Sequence, residues 1–295
     1  MKNQRQAMLL GLATVLLWST AATAFKVSLA YLSPIALMFW ASSVSILVLM
    51  GWQTWQGQLG ASLRPGRRGI LLSIGFGLIN PCLYYLLLFG AYDRLPAQEA
   101  MAINYTWALT LTYLAVPMLG HRLRLSDGVA GLVCYSGVFV IATRGELLSF
   151  QLSDGPGVAL ALLSTLAWAL YWIFNTRDTR EPVAGLLLNF LFAWPLLLLL
   201  ALYDGWQWPA WQGLAGAAWV GAFEMGIAFV LWLLAMKKAT NTSRLSNLIF
   251  LSPPLSLVFV AIIVGEVIRP STVVGLAMVV GGLYLQQRYR AREAQ

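Results

Sequence analysis

Apolar stretches long enough to cross a bilayer follow one another along the whole chain, separated by short segments rich in charge, Gly and Pro. A helix needs roughly 20 apolar residues to span the hydrocarbon core of a membrane. The pattern predicts ten spans, at 7–25, 34–55, 69–91, 97–118, 126–143, 155–175, 183–203, 211–236, 244–264 and 271–288. We therefore expect an all-α integral membrane protein with ten transmembrane helices.

The amino-acid composition also indicates a membrane protein and not a soluble one. Of 295 residues 59% are hydrophobic and only 10% are charged, whereas a soluble domain carries about 25% charged residues. Ten spans use about 200 positions, so no soluble domain fits in the loops. A single His and two Cys give no support for a Cys/His zinc site or a disulfide framework, and Cys82 and Cys134 fall inside apolar runs. No metal or cofactor is expected.

The basic residues predict the orientation of the chain. With a cytoplasmic N-terminus, 15 Lys and Arg fall in inside segments, and only four fall outside, namely Lys26, Arg94, Arg144 and Arg269. This is the bias of the positive-inside rule, so the net charge of +8 indicates topology and not a nucleic-acid partner. Both termini are expected in the cytoplasm of a bacterial-type inner (cytoplasmic) membrane protein. The loop without Lys or Arg predicts an outer aromatic belt of Trp206, Trp208 and Trp211.

One alternative concerns the N-terminus. Lys2 and Arg5, followed by an apolar stretch and Ala22-Thr23-Ala24, also resemble a cleavable signal peptide. Cleavage would leave nine spans and would destroy the internal repeat, so the ten-span interpretation is preferred.

The second half of the chain repeats the first. Identities recur at an offset of 144 and then 145, at Gly69 and Gly213, Gly77 and Gly221, Ala91 and Ala235, Gly120 and Gly265, Ser126 and Ser271, and Gly137 and Gly282. Because five spans is an odd number, the second copy enters the membrane from the opposite side. Two inverted five-helix repeats, 1–149 and 150–295, are therefore predicted, with a substrate site between them near the midplane.

Glu224 is the one carboxylate well inside a predicted span. A charge at mid-bilayer costs about 2.5 to 3.5 kcal/mol, which makes Glu224 a candidate functional residue; the alternative is a protonated Glu bonded to a neighbouring helix. Its partner at offset 144 is Asn80, followed by Pro81. Glu99 is a weaker candidate, because it lies about one turn into span four, where a partly hydrated carboxylate is cheap.

Other candidates share helix faces. Asn104 and Trp107 are spaced i, i+3, Asn80 and Tyr84 are spaced i, i+4, and span six continues this spacing with Trp168, Tyr171, Trp172 and Asn175. Such aromatic stripes also fit lipid-facing or core positions. An amide side chain without a hydrogen-bond partner is costly in hydrocarbon. We therefore expect Asn104, Asn175 and Asn247 to face a cavity or one another.

Prolines interrupt spans in both halves, at Pro81, Pro117, Pro195 and Pro253-Pro254. They predict bends that serve gating, or kinks that serve only packing. The sequence has no phosphate-binding loop of the P-loop type, so transport is expected to use an ion gradient or the gradient of the substrate. No catalytic residues are predicted, since the single His, His121, lies at the end of span four beside Arg122.

These features resemble the drug/metabolite transporter superfamily, and in particular its EamA-type exporters. The resemblance to these exporters rests on Leu251-Ser252-Pro253, Gly265-Glu266 and Gly281-Gly282. Leu17-Trp18-Ser19-Thr20 and the E-x-x-x-x-N-Y-x-W stretch from Glu99 to Trp107 resemble the aromatic-amino-acid exporter branch, although Ala108 stands where that branch has Pro.

The resemblance implies a central cavity lined by spans one, three, four, six, eight and nine, with spans five and ten nearer the cytoplasm. Carried over by position, it implies substrate-binding roles for Trp18, Asn80, Tyr84, Asn104, Trp107, Trp168, Trp172, Glu224 and Asn247.

The resulting hypothesis is a secondary transporter that exports small amphipathic metabolites, most plausibly aromatic or other hydrophobic amino acids, by alternating access. Its partners are then a small-molecule substrate and the lipid bilayer, with protons as a candidate coupling ion and a monomer as the expected state.

Quaternary ammonium compounds are an alternative substrate class, because aromatic cages bind cations. A lipid-acting membrane enzyme would need paired acid-base groups or an Asp-rich metal site, where the sequence offers only loop carboxylates such as Asp178 and Glu181. A non-transporting receptor stays open.

Overall fold

The computed structural model describes residues 3–120, 125–146, 152, 154–175, 177–240, 245 and 247–293, with the side chains of 247 and 290–293 outside that description. Predicted residues beyond it include Lys2, His121, Arg122, Arg124 and Arg244, and the division at 149/150. The described part is built from helices and their connections. Seven of its helices are long and apolar enough to cross a membrane, and Leu248–Val264 is a shorter apolar helix.

The helices agree with the predicted spans to within five residues at each end, and the largest difference is at the end of span 10. Numbered as spans 1 to 10, they are Gln4–Ser19 with Ala21–Leu29, Pro34–Trp55, Gly66–Gly77 continuing to Arg94, Ala97–Asn104 with Trp107–Leu119, Leu125–Ala142, Gly155–Asn175, Pro182–Tyr203, Trp211–Trp219 continuing to Lys238, Asn247–Leu251 with Ser252–Phe259 and Val260–Val264, and Pro270–Glu293. A one-turn helix, Leu59–Ser62, precedes span 3. The predicted ten-helix membrane fold is confirmed.

Helix irregularities recur at equivalent places in the two halves. Span 3 has a π-helical segment at Leu78–Leu83 and span 8 has one at Val220–Ile227. Span 4 breaks after Asn104, and span 9 changes from a 3₁₀ turn to an α-helix at Ser252. Gly120 and Gly265 follow spans 4 and 9 with left-handed φ of 71° and 77°, the conformation that Gly adopts without cost. The repeat therefore extends to local backbone geometry.

Spans 2 and 7 begin in the same way. Ser33 accepts a hydrogen bond from the Ala36 N–H, and Glu181 accepts one from the Ala184 N–H, each followed by Pro at the first helical turn. Such caps satisfy amide groups that have no partner within the helix. The starts of both spans are thus defined by local sequence.

Packing between the halves is also reciprocal. Span 1 packs on span 8 and span 3 on span 6; likewise span 2 packs on span 8 and span 7 on span 3. Spans 5 and 10 pack on each other, where a Cβ on Gly137 would lie 2.6 Å from the Gly275 carbonyl oxygen and a Cβ on Gly275 would lie 2.5 Å from that of Gly137. Exchanging the halves leaves this set of contacts unchanged, as an inverted repeat requires.

The basic residues segregate by end. At one end, the outer end by prediction, Lys26 donates to the carbonyl oxygens of Tyr92 and Leu95 at 2.7 and 2.9 Å. At the opposite end, the inner end by prediction, the Asn3 N–H donates to the Lys238 carbonyl at 2.8 Å. These bonds hold span 1 to span 3 at one end and to span 8 at the other.

The predicted outer belt is found in part. Trp208 and Trp211 are exposed, but Trp206 is partly buried and packs on Trp40 at a ring separation of 5.6 Å. Cys82 and Cys134 are buried free thiols, as predicted.

Candidate functional site

A cavity of about 670 Å³ lies among the helices of both repeats. Seven of the nine predicted site residues line it, namely Trp18, Tyr84, Asn104, Trp107, Trp168, Trp172 and Glu224. The six predicted spans all contribute to its wall, and span 10 adds Leu283, Gln286 and Gln287. Span 10 was not among the six spans expected to line the cavity, and the structure adds it to the wall. The structure brings the predicted residues into one space without testing their roles.

One predicted site residue with a described side chain, Asn80, does not line the cavity. Asn80 is buried, and neither atom of its side-chain amide has a hydrogen-bond partner there. Its backbone leaves the helix (φ −139°, ψ 112°), so the i, i+4 relation that predicted a common face with Tyr84 does not hold. The side chain of Asn247 lies outside the described residues. Asn175 is also absent from the lining.

Stacked aromatic rings form the centre of the wall. The ring of Trp168 stacks on Tyr84 at 4.4 Å and meets Trp172 edge-on at 5.7 Å. Phe229 contacts both Trp168 and Trp18, each at 5.9 Å. Such rings present large apolar faces in fixed orientations, which suits the binding of another ring.

Glu224 is the acidic group of this aromatic cavity. Its Oε1 accepts a hydrogen bond from the Tyr85 hydroxyl at 3.4 Å, while its Oε2 is buried and has no partner among the described residues. It lies in the π-helical segment of span 8, a helix variant that is frequent at functional sites. Among the described residues, the Glu224 carboxyl group is thus held by one hydrogen bond, through Oε1.

Asn104 contributes an amide from the end of the first segment of span 4. Its Nδ2 donates to the Ser164 Oγ at 2.9 Å, so the side chain is held against span 6 while it lines the cavity. The Asn104 amide thus has a hydrogen-bond partner and also faces the cavity, as the sequence led us to expect.

Several lining residues were missed by the sequence analysis. Trp232 packs on Trp18 at 5.5 Å, and Ser256, Gln286 and Gln287 add polar atoms. Trp232 stands eight residues after Glu224, which places both on one helical face; this spacing was the available signal. No comparable signal marked Gln286 and Gln287, because polar residues near a span end are usually solvated.

A buried ionic cluster lies at the end of the molecule that is the outer end by prediction. Oε1 of Glu99 accepts from Arg144 Nε at 3.1 Å and from Arg269 Nη1 at 3.0 Å, and the Glu99 side chain is fully buried. The expectation of a partly hydrated Glu99 is therefore wrong. The charge is stable there because two guanidinium groups replace the water.

Adjacent residues extend this connection between the repeats. Glu266 accepts hydrogen bonds from the backbone N–H groups of Ala97 and Gln98, at 2.6 and 3.2 Å. The Gln98 side chain in turn accepts from the Arg269 N–H at 2.9 Å. The start of span 4 is thereby joined to the loop between spans 9 and 10.

The opposite end, the inner end by prediction, contains an ion pair between Arg180 and Asp178. Arg180 donates to Asp178 through Nε and Nη2, and to Ser73 Oγ at 2.6 Å. Burial favours the neutral form of Asp178, but the hydrogen bonds from Arg180 outweigh it and hold the pKa of Asp178 below its usual value. The cavity extends toward this end, where its lining includes Leu119 and Met236 from the last turns of spans 4 and 8.

The chain is similar to known membrane transporters. The EamA-like transporter family matches residues 5–143 and again 155–286. The aromatic amino acid exporter YddG of Ancylobacter novellus is 26% identical over 286 residues, covering 95% of this chain and 96% of that protein. A probable terminal-alkyne amino-acid exporter of Streptantibioticus cattleyicolor is 26% identical over 289 residues, covering 95% of this chain and 94% of its own.

A relative from Archaeoglobus fulgidus, named an uncharacterized transporter, is 24% identical and covers 96% of this chain and 97% of its own. Among solved structures, one described as a crystal structure of a protein matches 99% of this chain and 100% of its own, with a TM-score of 0.67 and 23% identity. That match shows the fold alone.

Proposed function

Because the chain belongs to the EamA-like transporter family, we propose that it exports small amphipathic metabolites, with aromatic or other hydrophobic amino acids as its main substrates. It is a multi-pass membrane transporter and not an enzyme. The names of the two amino-acid exporters among its relatives support this substrate class.

The observation that carries the proposal is the combination of stacked aromatic rings with one carboxylate in a single cavity. A ring of the substrate inserts against Trp168 and Trp172, and its ammonium group meets the free Oε2 of Glu224. A volume of about 670 Å³ lies in the range typical of small-molecule sites. Glu224 is the candidate carrier if protons drive the export.

Transport proceeds in this proposal by alternating access between the repeats at 1–149 and 150–295. The cavity extends toward the inner end, while the Glu99 cluster joins the repeats at the outer end. This arrangement fits a state that loads from the cytoplasm, with both termini there, in the inner membrane and as a monomer. Release then requires the outer cluster to separate.

Counterflow in proteoliposomes tests the function. Vesicles loaded with unlabelled phenylalanine should accumulate labelled phenylalanine when they contain the protein, and empty vesicles should not. Glu224→Gln should lose most of this accumulation without unfolding, whereas Glu146→Gln, the same change at an exposed residue, should retain it. A folded protein that gives no accumulation would remove the amino-acid assignment.

The competing substrate class is distinguished in the same assay. The aromatic wall with a single carboxylate also suits quaternary ammonium ions. If choline and not phenylalanine produces counterflow, the cavity is a cation site and the amino-acid proposal is wrong.

A further inference from the structure

We infer that the cavity recognises the ammonium group and the ring of its substrate but not a carboxylate, so that arylalkylamines such as 2-phenylethylamine are bound at least as well as the corresponding amino acids. The inference rests on the proposed function only in taking this cavity as the substrate site.

The charges around the cavity carry the first step. Among the described lining residues, Glu224 is the only one with an acidic or basic side chain. Three basic side chains at the predicted outer end already have partners. Arg144 and Arg269 pair with Glu99, and Lys26 donates to two backbone carbonyls. A substrate carboxylate in this space would lose its water without gaining a cation, which is unfavourable.

Unpartnered polar atoms carry the second step. Four buried atoms of the lining have no hydrogen-bond partner among the described residues, namely Glu224 Oε2, Ser256 Oγ, Gln287 Oε1 and Trp172 Nε1. The carboxylate oxygen of Glu224 and the amide oxygen of Gln287 accept hydrogen bonds, the Ser256 hydroxyl can accept or donate one, and the indole nitrogen of Trp172 only donates. An ammonium group supplies donors to such acceptors, whereas a carboxylate would add another acceptor to them.

These four atoms all belong to spans 6, 8, 9 and 10, in the second repeat. In the first repeat the Asn104 amide already donates to Ser164, and the Thr112 hydroxyl accepts from Gln286 at 3.3 Å. The buried, unpartnered polar atoms of the described lining residues therefore all come from the second repeat, Glu224 among them.

Three ligands with the same ring separate the contributions of the two charged groups. The full-length protein in detergent is titrated with 2-phenylethylamine, phenylalanine and 3-phenylpropionate, and the thermal midpoint of unfolding is followed, since a ligand of the native state raises it. The amine should reach half-maximal stabilisation at or below the phenylalanine concentration. 3-Phenylpropionate should need at least about tenfold more, as expected when a charge-assisted hydrogen bond is lost.

Variants assign the effect to the acceptors. Glu224→Gln should raise the concentration of 2-phenylethylamine required by about tenfold, and Ser256→Ala should raise it as well if Glu224→Gln does not fold. Stabilisation by 3-phenylpropionate equal to that by the amine, or binding of phenylalanine about tenfold tighter than the amine, would overturn the inference.

Failure of the inference and failure of the proposed function give different results. Phenylalanine counterflow with equal binding of the amine and the acid leaves the amino-acid exporter standing and removes the amine preference. Selective amine binding without phenylalanine counterflow keeps the inference and removes the amino-acid assignment.

Discussion

Glu99 illustrates how one side chain holds two repeats together. Its single oxygen Oε1 receives Arg144, which follows span 5, and Arg269, which precedes span 10. Removing the charge leaves two guanidinium groups at a site built around a carboxylate. The loss is moderated because both arginines are partly exposed, with side-chain accessibilities of 41% and 37%.

Glu99→Gln is therefore expected to destabilise the protein by about 2 kcal/mol, which is less than the roughly 3 to 5 kcal/mol for breaking a fully buried ion pair because both arginines are partly exposed. Chemical denaturation in detergent micelles measures the change. Asp93→Asn, at an exposed carboxylate at the same end, should be nearly neutral. Equal stability of the Glu99 variant and the native protein would show that the cluster contributes nothing to the folded state.

The sequence predicted the cavity residues better than the outer cluster, for a physical reason. A carboxylate such as Glu224 deep in an apolar run is anomalous by itself, so it is recognised from one local segment. Glu99, Arg144 and Arg269 each look ordinary at a span end, and only their juxtaposition across the fold makes them a buried cluster. Asn80 was misplaced because the helical spacing was continued through a residue whose backbone is not helical.

At the scale of helices, two equivalent glycines set the distances between spans. A Cβ on Gly77 would lie 2.5 Å from the Asn189 carbonyl oxygen of span 7, and a Cβ on Gly221 would lie 2.2 Å from the Ala41 carbonyl oxygen of span 2. Both are closer than a real Cβ contact, and backbone atoms cannot move aside as flexible side chains do. Spans 3 and 8 thus depend on Gly at one shared position of the repeat.

Gly77→Ala and Gly221→Ala should each lower the free energy of unfolding by about 1 to 3 kcal/mol through overpacking. Gly75→Ala provides the matched control, because it lies two residues away on the same helix with open space where its Cβ would go. Thermal unfolding of the three purified variants makes the comparison. The structural equivalence is refuted if Gly75→Ala costs as much as the other two.

The prediction of helix positions succeeded where the hydrophobic pattern was continuous. Span boundaries follow from apolar length and from caps such as Ser33 and Glu181. The offset between Gly77 and Gly221 anticipated a real equivalence in packing, although the partners of each glycine were not visible in the sequence. The prolines were less informative, since Pro253 and Pro254 begin a helix in span 9 instead of bending one.

For the molecule as a whole, the segregation of basic residues gives a topology that labelling can check. Cys82 and Cys134 are buried, so an impermeant maleimide should leave the native protein unmodified. Gln207→Cys, in the exposed loop before span 8, should react in intact cells, and Gln58→Cys, in the exposed segment after span 2, should react only after permeabilisation. The opposite pattern would reverse the orientation and turn the cavity toward the outside.

The joint between spans 5 and 10 has a consequence for the origin of the chain. Gly137 meets Gly275, and when the halves are exchanged at offset 145 this contact becomes that of Gly282 with Ala130, where a Cβ on Gly282 would lie 3.3 Å from the Ala130 carbonyl oxygen. An interface in which each contact has such an equivalent is the mark of an isologous interface between identical subunits. An ancestral polypeptide of half this length, inserted in both orientations, would already have paired through its last helix.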